Sequence, residues 1–216
     1  MRRFSVMLWA FGLSAAPAAA HPHVWIELRS DVVIGQDSKI TAINLEWRFD
    51  QAYNEVALEG LDTDGDGTYS QKEIEPLTKE NMESLKEWDY FTAIKVDGKK
   101  AEFGAITEYG QVWSEKGLAL HFTVPLKTPV DPRSQSLVYR VYDPTFFIAI
   151  DYPKDDPVTV IGAMPAGCAL EIKPVVSDAE LAKTQTMLAE KGKDWTPAPE
   201  EDFGAMFAQP VSVVCK

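Results

Sequence analysis

The chain has 216 residues, of which 33 are acidic and 21 are basic, so its formal net charge is −12 at pH 7. This balance disfavours nucleic acid and anionic lipid as partners, because both repel a negatively charged surface. The length suffices for one large domain or two small ones.

The N-terminus resembles a secretory signal. Two arginines and a short apolar stretch, residues 4–15, precede Ala18 and Ala20, which satisfy the small-residue rule for cleavage. We therefore expect residues 1–20 to be a signal peptide, with a retained anchor as the alternative. The apolar stretch is too short to span a bilayer, and no later segment approaches the roughly 20 apolar residues that a membrane helix needs.

Cleavage after Ala20 would expose a His-Pro-His start, with His21 contributing both an imidazole and a free α-amino group. Imidazoles suit Zn²⁺, and also Cu²⁺ or Ni²⁺. Pro22 disfavours the square-planar amino-terminal copper or nickel site, which needs a deprotonated amide nitrogen at the second residue. His21 and His23 are therefore candidate zinc ligands, and an exposed start without metal is the alternative.

Residues 23–49 are predicted to form a long β-hairpin, because apolar and polar residues alternate along both arms. A two-residue turn at Gln36 and Asp37 would pair residues whose numbers sum to 73. In that register His23 faces Asp50. Asp50 is then a candidate ligand beside the histidine, and it is also suited to cap a following helix.

Two helices are predicted next, over residues 51–61 and 71–89, and the acidic segment between them fits the EF-hand calcium loop. Gly67 allows the sharp bend that this loop requires. The predicted ligands are the backbone carbonyl of Thr68 and the side chains of Asp62, Asp64, Asp66, Ser70 and Glu73. Because the loop occurs alone, we favour a structural Ca²⁺ over a regulatory one. A solvated acidic turn is the alternative.

From Thr92 onward the chain is predicted to be mostly β, apart from a helix over residues 177–191. The strands are expected at residues 93–96, 100–109, 118–126, 137–142, 146–152, 158–161, 169–175 and 211–215. Together these elements predict an α+β fold, mainly antiparallel and sandwich-like, with a helical EF-hand-loop insertion at about residues 50–90 and a C-terminal helix. We expect residues 21–216 to form a single domain.

The only cysteines are Cys168 and Cys215. An even count in an exported chain predicts one disulfide, with a thiolate metal site as the alternative. The two cysteines lack the CxxC spacing of redox-active thiols, so redox catalysis is disfavoured.

The third histidine, His121, lies in a predicted strand whose even-numbered residues are apolar, so its side chain should point to the opposite face. Together with His21, His23 and Asp50 it would complete a tetrahedral, zinc-like set. No Ser-His-Asp or Cys-His arrangement and no glycine-rich phosphate loop is visible in the sequence. We therefore expect a non-enzymatic protein, with a hydrolase using an open zinc position as an alternative.

Four segments together resemble the DUF1007 family: His-Pro-His-Val-Trp at 21–25, Glu-Trp-Arg-Phe-Asp at 46–50, the acidic loop, and Tyr-Asp-Pro-Thr at 142–145. The resemblance covers nearly the whole mature chain. It implies a periplasmic protein associated with nickel/cobalt-type permeases and with the uptake of divalent metals, especially zinc. We therefore expect a metal-binding partner of an inner-membrane permease. A calcium-stabilised interaction module without metal delivery is the alternative.

Overall fold

The computed structural model describes residues 22–175, 183, 186–187 and 202–216. Within these residues, α-helices with complete bounds are α1 (Gln51–Ala57) and α2 (Gln71–Lys86), and residues 183, 186 and 187 are also helical. The strands are β1 (Val24–Ile34), β2 (Ile40–Phe49), β3 (Thr92–Val96), β4 (Lys99–Lys100), β5 (Tyr109–Ser114), β6 (Gly117–Val130), β7 (Leu137–Val141), β8 (Ile148–Asp151), β9 (Val158–Ile161), β10 (Cys168–Ile172) and β11 (Val211–Cys215). The predicted signal peptide, His21 and most of the predicted helix at 177–191 lie outside the described residues.

The strands form two sheets. The larger has the order β5-β6-β2-β1-β8, with β9 also paired to β1, and the smaller has the order β10-β11-β7-β3-β4. Most pairings are antiparallel, but β8 and β9 run parallel to β1. Both sheets contribute to one apolar core. The mainly β, mostly antiparallel architecture that the sequence predicted is confirmed.

A buried hydroxyl contact joins the two sheets across this core. The hydroxyls of Ser30 in β1 and Tyr139 in β7 lie 2.7 Å apart. Burial raises the pKa of Tyr139 well above its ordinary value, so this phenol stays neutral and satisfies its neighbour at physiological pH.

The predicted hairpin of β1 and β2 forms, but in a different register. Leu28 pairs with Trp47, so the paired numbers sum to 75 rather than 73. The turn is longer than two residues, because the Gly35 N–H donates to the Lys39 carbonyl at 2.8 Å, and the register shifts again at residues 33–34. Since side chains alternate with a period of two, a two-residue shift leaves the same residues on the core face.

Several element boundaries differ from prediction. Helix α1 ends at Ala57 rather than 61, and the predicted strand at 100–109 is reduced to β4 and an isolated bridge from Phe103 to Leu126. Strand β5 was not predicted. It buries a polar residue, Gln111, which is 1% exposed, and so lacks the apolar alternation that marks a strand in sequence.

The predicted disulfide is confirmed. Cys168 and Cys215 lie opposite each other in the antiparallel pair β10 and β11 and are bonded. Such a bond fits an oxidising compartment outside the cytoplasm. In the described part of the chain, no helix has the length and apolar character needed to cross a bilayer.

Asp143 organises the turn that precedes β8. Its carboxylate is buried, with the residue 4% exposed. One oxygen accepts from the Thr145 N–H and hydroxyl, both at 2.8 Å, and the other accepts from the Ile148 N–H at 3.0 Å. These three donors satisfy the buried acid and hold the turn in place.

We predict that Asp143→Ala lowers the free energy of unfolding by roughly 2–4 kcal/mol, because two backbone N–H groups lose their buried acceptor. Urea unfolding measures this. Asp155→Ala, at an exposed position, serves as the control and should change stability by less than about 0.5 kcal/mol. Equal stability of the two variants would contradict the capping role.

Candidate metal centre

The acidic segment lies between α1 and α2 as a tight loop. Helix α2 begins at Gln71, immediately after the acidic run, and buries Ile74, Thr78 and Met82 on one face. Gly65 and Gly67 adopt φ values of 74° and 80°, in the left-handed region where side chains other than glycine are strained. The loop therefore turns at both glycines in a conformation that other residues adopt only with strain.

Three carboxylates converge in this loop. One ligand oxygen each from Asp62, Asp64 and Asp66 lies within 4.8 Å of the other two. Asp62 is partly buried, and the other two are exposed. Among the described residues this is the only group of three or more acids, histidines or cysteines with such spacing.

Backbone donors hold these carboxylates in place. Asp62 accepts from the N–H of Gly65 at 2.8 Å, of Asp66 at 3.1 Å and of Gly67 at 3.0 Å. Asp66 accepts from the N–H and hydroxyl of Thr68 at 2.7 and 2.8 Å. The loop is thus wrapped around its own acids, with each hydrogen bond offsetting part of their mutual repulsion.

Glu73 clasps the two ends of the loop. Oε2 accepts from the Ser70 N–H and hydroxyl at 2.9 and 2.8 Å, which completes a capping box at the start of α2. Oε1 reaches across to accept from the Thr63 N–H and hydroxyl at 2.7 and 2.8 Å. These hydrogen bonds lower the pKa of Glu73 to about 2. Sequence reasoning missed Thr63, because the second position of such a loop carries no ligand in the motif.

The structure does not place Asp50 beside His23, so that predicted pairing is wrong. The observed register sets Asp50 opposite Trp25, whose N–H donates to one carboxylate oxygen at 2.6 Å. The other oxygen accepts from the Tyr53 N–H at 2.9 Å and caps α1. Asp50 is therefore engaged by the backbone on both oxygens.

The structure also separates His121 from His23. His121 pairs with Glu46, which pairs with Arg29, six residues beyond His23 along the chain. At about 3.3 Å per residue this places the two histidines roughly 20 Å apart. The predicted convergence of His121 on the N-terminal histidines is therefore wrong.

His121 instead lies in a groove of about 470 Å³ on the outer face of the larger sheet, with Arg29, Asp31 and Glu46 among its neighbours. Its ring lies over Gly110, where an added Cβ would come within 2.9 Å of two ring atoms. His23 is exposed and packs its ring against Phe147, with centroids 4.8 Å apart. His21, which was predicted to bind metal together with His23, lies outside the described residues.

Comparison with known proteins gives a family without an assigned activity. A family model described as "Protein of unknown function (DUF1007)" matches residues 6–215. An uncharacterized protein of Haemophilus influenzae is 21% identical over 218 residues, spanning 100% of both chains. An uncharacterized 15.5 kDa protein in the trpE 3' region of Spirochaeta aurantia is 30% identical over 99 residues, which cover 46% of this chain and 70% of its own length.

The hydrogen bonds of Glu73 should make the free energy of unfolding of the metal-free protein fall with pH in the acid range. Since the folded-state pKa of about 2 lies below the ordinary 4.5, the clasp stabilises fully above pH 4.5 and is lost as pH falls through 2. Glu73→Gln should reduce this fall in unfolding curves recorded in EDTA. The control Glu87→Gln, at an exposed position after α2, should keep it. An unchanged fall in Glu73→Gln would contradict the clasp.

Proposed function

The chain belongs to the DUF1007 family, and from the geometry of its acidic loop we propose that it is an exported divalent-metal-binding protein that holds Ca²⁺ between α1 and α2. The observation that carries the proposal is the approach of three Asp oxygens to within 4.8 Å of one another. Calcium takes six to eight oxygen ligands, and this loop offers carboxylate, hydroxyl and backbone oxygens without nitrogen or sulfur competitors.

The residues proposed to hold the ion play different parts. Asp62, Asp64 and Asp66 supply the converging charge, and Thr68 would add its backbone carbonyl. Glu73 and Ser70 border the loop, but the Glu73 oxygens already accept from Ser70 and Thr63. Direct ligation by Glu73 requires exchange of those hydrogen bonds. We therefore propose weak affinity, with a Kd of about 10⁻⁴–10⁻³ M, as in extracellular calcium modules.

The proposed role of this ion is structural. Calcium would offset the repulsion among the three carboxylates and fix the start of α2. Because α2 packs its buried face against the protein core through Ile74 and Met82, order in the loop would also stabilise the attachment of this helix to the sheet. At 100 times the Kd, binding to the folded state alone adds about 2.7 kcal/mol.

We predict that Asp62→Asn/Asp64→Asn lowers Ca²⁺ affinity at least about tenfold, because two of the converging charges are removed. Calorimetric titration and the calcium-induced rise in unfolding temperature both measure this. Asp155→Asn/Asp156→Asn removes the same charge from an exposed turn and is the matched control. Equal calcium affinity in the two variants would contradict the proposed calcium site.

We further propose that the mature N-terminus binds Zn²⁺, or Ni²⁺, Co²⁺ or Cu²⁺ in its place, and that the protein assists an inner-membrane metal permease in the periplasm. The His-Pro-His start and the family resemblance support this. With Asp50 engaged by the backbone and His121 roughly 20 Å away, the ligand set narrows to His21, His23 and the α-amino group. Partner groups would complete the coordination, which suits a carrier that releases its metal.

We predict that His21→Ala/His23→Ala abolishes high-affinity zinc binding by the mature chain, whereas His121→Ala leaves it unchanged. Competition with a chromogenic chelator measures the affinity, and mass spectrometry verifies the N-terminus. Unchanged zinc affinity in the double variant would overturn the N-terminal site. An equal loss in His121→Ala would overturn the narrowed ligand set.

A calcium-stabilised interaction module is the second candidate. It is favoured by two exposed aromatic side chains near His23, since Trp25 is 51% exposed and Phe147 is 44% exposed. Exposed aromatic residues are typical of protein contacts. Under this alternative the histidines are incidental, and the double histidine variant keeps its partner.

A further inference from the structure

A groove lies beside the acidic loop, between α1 and the turn that joins β5 to β6. Its volume is about 740 Å³, within the roughly 300–1,000 Å³ typical of ligand sites. Three separate segments line it: the end of β2 with α1, residues 58–69, and residues 113–117 of the turn. The loop contributes only part of the lining, so the groove is a larger feature than the proposed calcium site.

The rim of this groove is acidic. Glu55, Glu59 and Glu115 are exposed, and Asp62 adds a fourth carboxylate. Lys116 is the one cationic side chain among the lining residues, all of which lie in the described part of the chain. Four carboxylates against one ammonium leave a negative concave surface, and concave surfaces focus the electrostatic field. The groove is thus complementary in charge to a cation.

Aromatic side chains supply a second kind of contact. Phe49 is 8% exposed at the base, while Tyr69 and Trp113 are partly buried and meet edge to face with centroids 5.2 Å apart. Aromatic faces attract ammonium and guanidinium groups and also pack against their aliphatic stems. Acids and aromatics together therefore match lysine and arginine side chains better than they match a bare metal ion.

Asn54 holds the two sides of the groove together. Its amide donates to the Phe49 carbonyl at 3.3 Å, and its side-chain oxygen accepts from the Leu118 N–H at 3.3 Å. A Cβ at Gly117, where φ is 95°, would lie 2.5 Å from that amide nitrogen. The close approach fixes α1 against the turn, so the groove is formed before any partner arrives and costs little to order.

We propose that this groove docks an extended basic segment of a partner polypeptide, with lysine or arginine interspersed with apolar residues. The carboxylates come from three segments around an open groove, so several cationic groups on one chain can meet them at once. A small organic cation would engage only some of them. The site shares Asp62, Gly67 and Tyr69 with the acidic loop but does not depend on calcium binding there.

The test uses the mature chain and a fluorescein-labelled peptide in which lysine and leucine alternate. Fluorescence anisotropy should show binding that Glu55→Gln/Glu59→Gln/Glu115→Gln weakens about tenfold, or about 1.4 kcal/mol, as expected for three exposed ion pairs. The matched control is Glu80→Gln/Glu83→Gln/Glu87→Gln, which removes the same charge from exposed positions on and after α2. It should bind within about twofold of the unmodified chain.

Several outcomes would overturn the proposal. Equal weakening in both triple variants would mean that only net charge attracts the peptide. Equal binding of a peptide with glutamate in place of lysine would exclude charge recognition. Groove-dependent binding of spermidine without peptide binding would indicate a small-cation site. Trp113→Leu should also weaken peptide binding, which keeps the proposal testable if the triple variant fails to fold.

The calcium and groove proposals fail separately. Peptide binding is measured both with Ca²⁺ and with EDTA. Groove-dependent binding in EDTA supports the groove even if Asp62→Asn/Asp64→Asn leaves calcium affinity unchanged. Conversely, calcium binding without any groove-dependent peptide binding overturns the groove alone.

Discussion

One carboxylate, that of Asp50, connects the larger sheet to the helical insertion. It accepts from Trp25 at the start of β1 with one oxygen and from Tyr53 in the first turn of α1 with the other. The same residue therefore ends the β2 strand and starts the helix. A charge-assisted hydrogen bond to each side is stronger than a neutral one, which suits a junction exposed to water. The direction of α1, and with it the acidic loop and the groove, depends on this junction.

The acids of this protein fall into two physical classes. Asp50, Asp143 and Glu73 are satisfied by backbone N–H groups and fix local structure. Asp64 and Asp66 are exposed around a shared centre, and Glu55 and Glu59 are exposed along a groove. The second class is the set proposed to meet ions or partners, although Asp66 also accepts from the Thr68 N–H. A strongly acidic composition thus divides into acids that fix local structure and acids proposed for recognition, and the second set is distinguished by its converging or groove-lining positions.

The sequence correctly predicted which residues of the hairpin face the core, because apolar residues alternate along it with a period of two. It did not predict the register, which depends on turn length and on the bulge at 33–34. That error moved Asp50 from its true neighbour Trp25 to His23 and suggested a ligand set that the fold separates. Strand β5 was missed for a related reason, since Gln111 faces the interior while Val112 is exposed. Its burial follows from pairing with β6 and from packing near α2.

Local pattern by itself determined the disulfide partners, the acidic loop and the start of α2, because each is specified by residues close in sequence or by the count of one residue type. Tertiary structure alone decided which histidines share a neighbourhood, which oxygens of Asp50 and Glu73 remain available, and that a groove exists beside the loop. These properties arise from pairing between distant strands, where a shift of two residues moves a side chain by roughly 7 Å without changing its face. The alternation of apolar and polar residues along a strand is the same before and after such a shift, so it does not indicate the register.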